Sequence, residues 1–258
     1  MKKRYIILIS IIIIYFLILF FFMGYGKIKK EQKEATVLVG ENTVWQLEKN
    51  TWRNIANKTE VDKLNWTEFT VFINNENIGK YYLWYDTKWY LFDENKQPFL
   101  YDDGTFFAIK ANYDVKLLNF TPTKIKDSTL INKVLTENNI TSATEFTVDN
   151  LYKIDFDSDG VVENFYAISN AFARETSPSK VFSIVFMEKS GQIYYLYNSI
   201  ADNDGQNGCK PYLNTIVDLT EDQIYEIVLS CGYYSMETPH DMLYTFEDNE
   251  FKLLASNQ

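Results

Sequence analysis

The stretch "YKIDFDSDGVVENFYAIS", residues 152–169, places an acidic turn between two segments in which apolar and aromatic residues alternate with polar ones. Alternation of this kind, bounded by turn residues, is typical of β-strands. Asp155, Asp157 and Asp159 stand at alternate positions, and Gly160 follows them where the backbone must turn sharply. The sequence therefore predicts a strand, a tight acidic loop and a second strand.

This strand-loop-strand unit recurs once along the chain. Residues 154–170, "IDFDSDGVVENFYAISN", overlay residues 217–233, "VDLTEDQIYEIVLSCGY", with a shift of 63. The overlay aligns the acidic residues Asp155 with Asp218, Asp159 with Asp222, and Glu163 with Glu226. Further candidate strands follow each copy, at 180–188 and 192–199 and at 240–247 and 250–255. We therefore expect two blade-like units of about 60 residues, each with four antiparallel strands.

The residues before the repeat also favour antiparallel sheet. Three hairpins are predicted: residues 43–57 with the tip at 48–50, residues 79–93 with the turn at 86–87, and residues 99–110 with the turn at 103–104. The second hairpin is expected to set Trp84 opposite Trp89. Only residues 127–139 have helical spacing, with Asp127 or Ser128 as the N-cap. The predicted fold class is therefore mainly β, with one short helix in this part of the chain.

Near the amino terminus, residues 5–26 read "YIILISIIIIYFLILFFFMGYG" and hold about 19 consecutive uncharged residues from Tyr5 to Met23. That length matches a helix that crosses the hydrocarbon core of a bilayer. We expect a single-pass anchor in the lipid bilayer through residues 5–23. The short amino-terminal flank favours a cell-membrane protein with its carboxy-terminal domain outside the cytoplasm. The alternative is a cleaved signal peptide, for which the apolar segment is long and residues 24–26 form a poor cleavage site.

The chain is thus expected to have four parts. They are a transmembrane signal-anchor (1–26), a charged linker (27–34), an aromatic-rich antiparallel β region (35–121) and a β domain with the two blade-like units (122–258). Beyond the anchor, 22 Lys and Arg residues stand against 35 Asp and Glu residues, a net charge of −13. Nucleic acid is therefore an improbable partner, because phosphate binding depends on a basic surface.

The acidic loop suits a hard cation. Alternate side chains of an extended segment point the same way, so three aspartates can converge on one centre. The predicted ligands are the carboxylates of Asp155, Asp157, Asp159 and Glu163 and the backbone carbonyl of Val161. Such an all-oxygen shell is typical of calcium sites, and a cation removes the repulsion among the carboxylates. The alternative is an acidic, solvated hairpin turn without a metal.

The pattern DxDxDGxxE between two strands resembles the calcium loop of FG-GAP or VCBS-type repeats, the blades of integrin-like propellers. The resemblance covers about 15 residues closely and residues 144–258 loosely. It implies a structural ion that stiffens the blade and takes no part in catalysis. In the second copy, Thr220 replaces an aspartate and Gln223 replaces the glycine, which implies a structural turn without a metal. The chain lacks the FG and GAP motifs and the length of a seven-bladed ring.

Two cysteines flank the second acidic loop. Cys209 and Cys231 would lie roughly across from each other if the turn centres on residues 220–221. A disulfide is compatible with their spacing and with a location outside the cytoplasm, and two buried free thiols are the alternative.

All five tryptophans fall between residues 45 and 89. The candidate ligand platform comprises Tyr82, Trp84, Trp89 and Tyr90, whose rings could stack on sugars. The alternative is that these rings belong to the core, as cross-strand aromatic pairs commonly do.

Catalysis has little support in the sequence. His240 is the single histidine, no serine or cysteine motif accompanies it, and zinc ligation needs more His or Cys than the chain supplies. We therefore expect a binding or structural module of the cell envelope, with a protein or glycan of the envelope as partner. An anchored hydrolase that acts on wall glycans through acidic residues is the alternative, because acids are abundant in the chain.

Overall fold

The predicted fold class is confirmed in its main features by a computed structural model. The structure describes residues 33–73, 76–99, 106–118, 120–122, 127–140, 146–171, 180–202, 208–233 and 239–257. In these ranges the chain is mainly β, with antiparallel sheets and two helices. Neither of these two helices has the length and apolar character needed to cross a bilayer. The predicted membrane segment, residues 5–23, lies outside the described residues.

Seven antiparallel strands form the first sheet. They are β1 (Ala35–Val39), β2 (Thr43–Glu48), β3 (Thr51–Asn54), β4 (Thr67–Ile73), β5 (Glu76–Tyr85), β6 (Trp89–Phe92) and β7 (Phe106–Ala111). Their order across the sheet is β3-β2-β1-β7-β4-β5-β6. The β2–β3 turn sits where the sequence predicts it, since Glu48 pairs with Thr51. Lys49 and Asn50 between them both have positive φ, the conformation that matches the twist of a hairpin.

The other two hairpin predictions for this sheet are wrong in part. Trp84 pairs with Tyr90, and Tyr85 pairs with Trp89, so Trp84 does not face Trp89. The turn holds three residues, 86–88, and one extra residue changes the partner of every later position. β7 pairs with β1 on one edge and with β4 on the other, so neither of these two neighbours is the predicted hairpin partner. The predicted turn at 103–104 lies outside the described residues.

The described residues contain two helices, where the sequence predicts one short helix for this part of the chain. Helix α1 (Lys58–Asp62) is a single short turn capped by Asn57, whose side chain accepts the Thr59 N–H at 2.9 Å. Five residues are too few to show helical periodicity, so the pattern gives no sign of α1. Helix α2 (Ser128–Glu137) confirms the predicted helix, and Asp127 caps it by accepting the Leu130 N–H at 3.0 Å.

The two copies of the repeat form two further antiparallel sheets. The second sheet contains β9 (Thr121–Pro122), β10 (Thr147–Ile154), β11 (Glu163–Ser169), β12 (Lys180–Lys189) and β13 (Gln192–Asp202). The third contains β8 (Lys116–Leu117), β14 (Cys209–Asp218), β15 (Glu226–Tyr233), β16 (His240–Glu247) and β17 (Glu250–Ser256). Their orders are β13-β12-β11-β10-β9 and β17-β16-β15-β14-β8. Each copy is thus a four-stranded meander with one short extra strand at its edge.

The third sheet lies between the other two and is buried on both faces. Ile216, Ile227 and Leu229 pack in one cluster with residues of the second sheet. Val217 and Val228, which point to the opposite face, pack in another cluster with residues of the first sheet. Helix α2 covers the outer face of the second sheet, and α1 packs on the outer face of the first. Residues on both sides of Pro122 therefore share one core.

A buried polar network also joins the first and third sheets. Asp241 accepts hydrogen bonds from the Thr43 and Ser230 hydroxyls, each at 2.6 Å. Asn257 donates to Thr43 Oγ1 at 2.7 Å, which ties the end of the chain to β2. Burial raises the pKa of Asp241 to about 6, and the two hydroxyl hydrogen bonds oppose that shift.

A disulfide joins β14 and β15 of the third sheet. Cys209 and Cys231 are bonded, both are buried, and their Cα atoms lie 5.3 Å apart. The register pairs Cys209 with Tyr233 and Pro211 with Cys231, so the two cysteines are diagonal neighbours.

Replacing both cysteines by alanine should lower the free energy of unfolding by about 3 kcal/mol, because the bridge closes a loop of 22 residues in the unfolded chain. Denaturant melts of the full chain in mild detergent measure the change. Reducing agent should destabilise the wild type by a similar amount and leave the double variant unaffected. A wild type whose melt is insensitive to reductant would contradict this role of the bridge.

Candidate metal centre

The acidic loop connects β10 to β11, the first two strands of the second sheet's meander. Ile154 pairs with Glu163, so the strands close the loop at its base. Within the loop, Asp155 Oδ2 accepts the Gly160 N–H at 3.2 Å. Ser158 and Gly160 have positive φ values of 57° and 84°. The glycine therefore stands at a left-handed position, as the sequence predicts.

The structure brings the three predicted aspartates together. One carboxylate oxygen from each of Asp155, Asp157 and Asp159 lies within 4.8 Å of the other two. Asp157 and Asp159 are exposed, and Asp155 is half-buried. This triad could hold a metal ion, and its purely oxygen character favours a hard cation.

The two other predicted ligands occupy different environments. Glu163 is fully buried, with 0% of its surface exposed. Its Oε2 accepts the Phe156 N–H at 2.7 Å, whereas its Oε1 accepts no hydrogen bond. Val161 is 46% exposed, and its N–H donates to Asp159 Oδ1 at 2.7 Å. The assignment of the Val161 carbonyl as a ligand stays a prediction.

Lys189, at the end of β12, reaches into this cluster, a placement that the sequence pattern does not predict. Its Nζ contacts Asp157 Oδ2 and lies 2.9 Å from Asp159 Oδ2 and 3.2 Å from Glu163 Oε1. Burial by itself lowers the pKa of Lys189, but its hydrogen bonds to Asp157 and Asp159 and its ion pair with Glu163 outweigh that effect and raise it. The Lys189 hydrogen bond in turn lowers the pKa of Asp159.

The second acidic loop repeats the hydrogen bonds of the first. Glu226 Oε2 accepts the Leu219 N–H at 2.7 Å, as Glu163 does with Phe156. The Gln223 N–H donates to Asp218 Oδ2 at 3.3 Å, the counterpart of the bond from Gly160 to Asp155. Positive φ values recur at residues 221 and 223, which are 63 positions after 158 and 160. The shift found in the sequence therefore relates two loops of one backbone conformation.

The charge of the second loop is balanced differently. Glu226 is buried, and burial together with the charges of Asp222 and Asp218 raises its pKa to about 8. The Leu219 N–H opposes that shift only in part. The ion pair that Lys33 makes with this loop, at 3.5 Å, involves Glu221 at the loop's surface. At neutral pH Glu226 is therefore neutralised by a proton, whereas Glu163 in the first loop faces the ammonium group of Lys189.

An open pocket with a volume of about 320 Å³ lies beside the first loop. It is lined by residues of both acidic loops and of the β16–β17 hairpin: Phe156, Asp157, Gln223, Ile224, Tyr225, Phe246, Asp248 and Asn249. The side chain of Asp157 is 42% exposed, so ions in solvent have access to this edge of the aspartate triad.

The four residues of the predicted aromatic platform do not all lie on one face of the sheet. Tyr82, Trp84 and Tyr90 are half-buried and alternate with buried residues of β5 and β6, so they share one face. Trp89 is 1% exposed and packs in the core on the opposite face, so its assignment to a ligand platform is wrong. Trp66 precedes β4, is 44% exposed, and lies 5.2 Å from the Phe92 ring, a placement that strand alternation does not predict.

Comparison with known proteins gives no further assignment. No family model matches the chain, and neither curated proteins nor solved structures yield a match.

Replacing Glu226 by glutamine should remove a pH dependence of stability. The folded-state pKa of Glu226, about 8, lies above its unfolded value. Between about pH 4.5 and pH 8, Glu226 is therefore protonated in the folded state and ionised in the unfolded state. The stability of the wild type should therefore fall as the pH rises through this window. At pH 8 the variant should be the more stable protein, by on the order of 2 kcal/mol.

Glu163→Gln at the same place in the first loop is the matched control. It should lower stability at pH 8, because Lys189 loses its buried partner. Thermal melts of the full chain at pH 5 and pH 8 measure both effects. Equal destabilisation by the two substitutions at pH 8 would refute the assignment of a protonated Glu226.

Proposed function

We propose that this chain is a membrane-anchored, extracytoplasmic β-rich module with a binding or structural role in the cell envelope, and that its first acidic loop carries one structural calcium ion. The observation that supports the ion most directly is the convergence of the three aspartate oxygens within 4.8 Å. The fully buried Glu163 at the base of the loop adds a fourth carboxylate.

The position of the loop favours a structural ion over a catalytic one. The loop joins the first two strands of a four-stranded meander, which is the place of the calcium loop in the FG-GAP or VCBS-type blades that the sequence resembles. An ion bound there connects Asp155, the first residue after β10, to Asp157 and Asp159 further along the loop. It therefore stiffens the hairpin and the sheet that follows from it.

Three features support a location in the cell envelope. The uncharged segment 5–23 has the length of a membrane anchor, and the residues beyond it carry a net charge of −13. The Cys209–Cys231 disulfide suits an oxidising compartment. The aromatic face formed by Tyr82, Trp84 and Tyr90 gives an envelope protein or glycan a surface to contact.

Calcium should raise the melting temperature of the full chain. An ion that binds the folded state alone stabilises it by on the order of 3 kcal/mol at a hundred times the dissociation constant. Asp157→Ala removes one ligand and should abolish the rise. Thr220→Ala, at the corresponding place in the second loop, should leave it unchanged. Equal melting temperatures in millimolar calcium and in chelator, with no binding heat by calorimetry, would show that the loop is an acidic turn only.

Protease added to intact cells should remove the domain that starts near residue 33, while the anchor stays in the membrane fraction after alkaline extraction. The expectation follows from the uncharged segment 5–23 and from the disulfide in the domain beyond it, which suits an oxidising compartment. Full protection of the domain in intact cells, with digestion only after lysis, would place it on the cytoplasmic side.

A further inference from the structure

We propose that Lys189 is the resident counter-ion of the first acidic loop, and that a divalent cation binds this loop by displacing the lysine ammonium group. The inference rests on the proposed metal site and adds a determinant of its affinity. That determinant belongs to β12, outside the loop that supplies the ligands.

The strand register explains why the lysine reaches the loop. Asn164 of β11 pairs with Glu188 of β12, so the next residue of β12 stands level with Glu163. The Lys189 ammonium contacts Asp157, Asp159 and Glu163, and its side chain is only 20% exposed. It therefore lies against three of the four carboxylates that are proposed to bind the ion.

A lysine satisfies this cluster incompletely. Glu163 is fully buried and faces the cluster with Oε1, which accepts no hydrogen bond although Lys189 Nζ lies 3.2 Å away. Asp155 Oδ1 is also buried and without a hydrogen-bond partner. One ammonium group carries a single charge and three donors, against four carboxylates. Calcium carries two charges and takes six to eight oxygen ligands, so it can engage the oxygens that the lysine leaves.

The second copy shows that the lysine is specific to the first loop. Lys189 and Glu247 occupy the same position in the last hairpin of their sheets. Lys189 pairs with Gln192 across the β12–β13 turn, and Glu247 pairs with Glu250 across the β16–β17 turn. The second sheet thus has a lysine where the third has an acid. In the third sheet the buried Glu226 is neutralised by a proton, and the loop has no aspartate at residue 220. A contacting lysine from β12 and an aspartate triad therefore occur together only at the loop that is proposed to bind the ion, among the two acidic loops.

Calcium titration of the full chain in mild detergent tests the displacement. Lys189→Met removes the competing cation and should tighten calcium binding about tenfold, within the range that coupled sites show. Lys252→Met is the matched control, because Lys252 pairs only with surface acids of the β16–β17 hairpin among its described contacts. The control should leave calcium affinity unchanged.

The outcomes separate this inference from the proposed function. Equal or weaker calcium binding by Lys189→Met, with normal binding by the wild type, would overturn the displacement and leave the metal site in place. Absence of calcium binding in both proteins would overturn the metal site and the displacement together.

A second measurement on the wild type decides the matter even where Lys189→Met folds poorly. The rate at which an amine-acetylating reagent modifies Lys189, followed by peptide mass spectrometry, should rise about fivefold from chelator to saturating calcium. The rate at Lys252 should stay constant. An unchanged rate at Lys189, in a sample that binds calcium by calorimetry, would show that the ion and the lysine occupy the loop together and would refute the displacement.

Discussion

A buried carboxylate at the base of each acidic loop is the interaction on which the two repeat units depend. Glu163 and Glu226 each begin a central strand and accept the N–H of the residue that follows the first aspartate of their own repeat, Phe156 or Leu219. The bond fixes the shape of the loop and the pairing at the start of the hairpin together. A buried negative charge is costly, so each site needs a neutralising partner. Lys189 is that partner in one copy and a proton is in the other.

The loops are also attached to the core that they border. Phe156 follows the first aspartate and is 2% exposed, with its ring 5.7 Å from that of Phe165 and 6.1 Å from that of Phe246. The first partner belongs to the second sheet and the second to the third. Alternation along the loop thus sends aspartates outward and an aromatic ring inward between two sheets. The position of the carboxylates is therefore coupled to how those sheets pack.

The sequence predicts what is local and misses what is nonlocal. The 63-residue shift identified two loops with matching hydrogen bonds, and Asp127 identified the start of α2, because these features depend on neighbouring residues. The pairing of Trp84 was wrong, since one extra turn residue changes the register of a whole hairpin. The role of Lys189 was missed because it depends on the register of a third strand, 30 residues after Asp159.

The position of the third sheet also determines when the chain can finish folding as it leaves the ribosome. Val37 and Trp45 of the first sheet pack in one cluster with Val217 and Leu243. The hydrogen bond from Thr43 to Asp241 spans 198 residues. The strands of the first sheet therefore keep an apolar face uncovered until the strands that carry Val217 and Leu243 have been synthesised. Unburied sheet faces associate with one another. The nascent chain therefore needs protection during that interval, provided by a chaperone or by slow export.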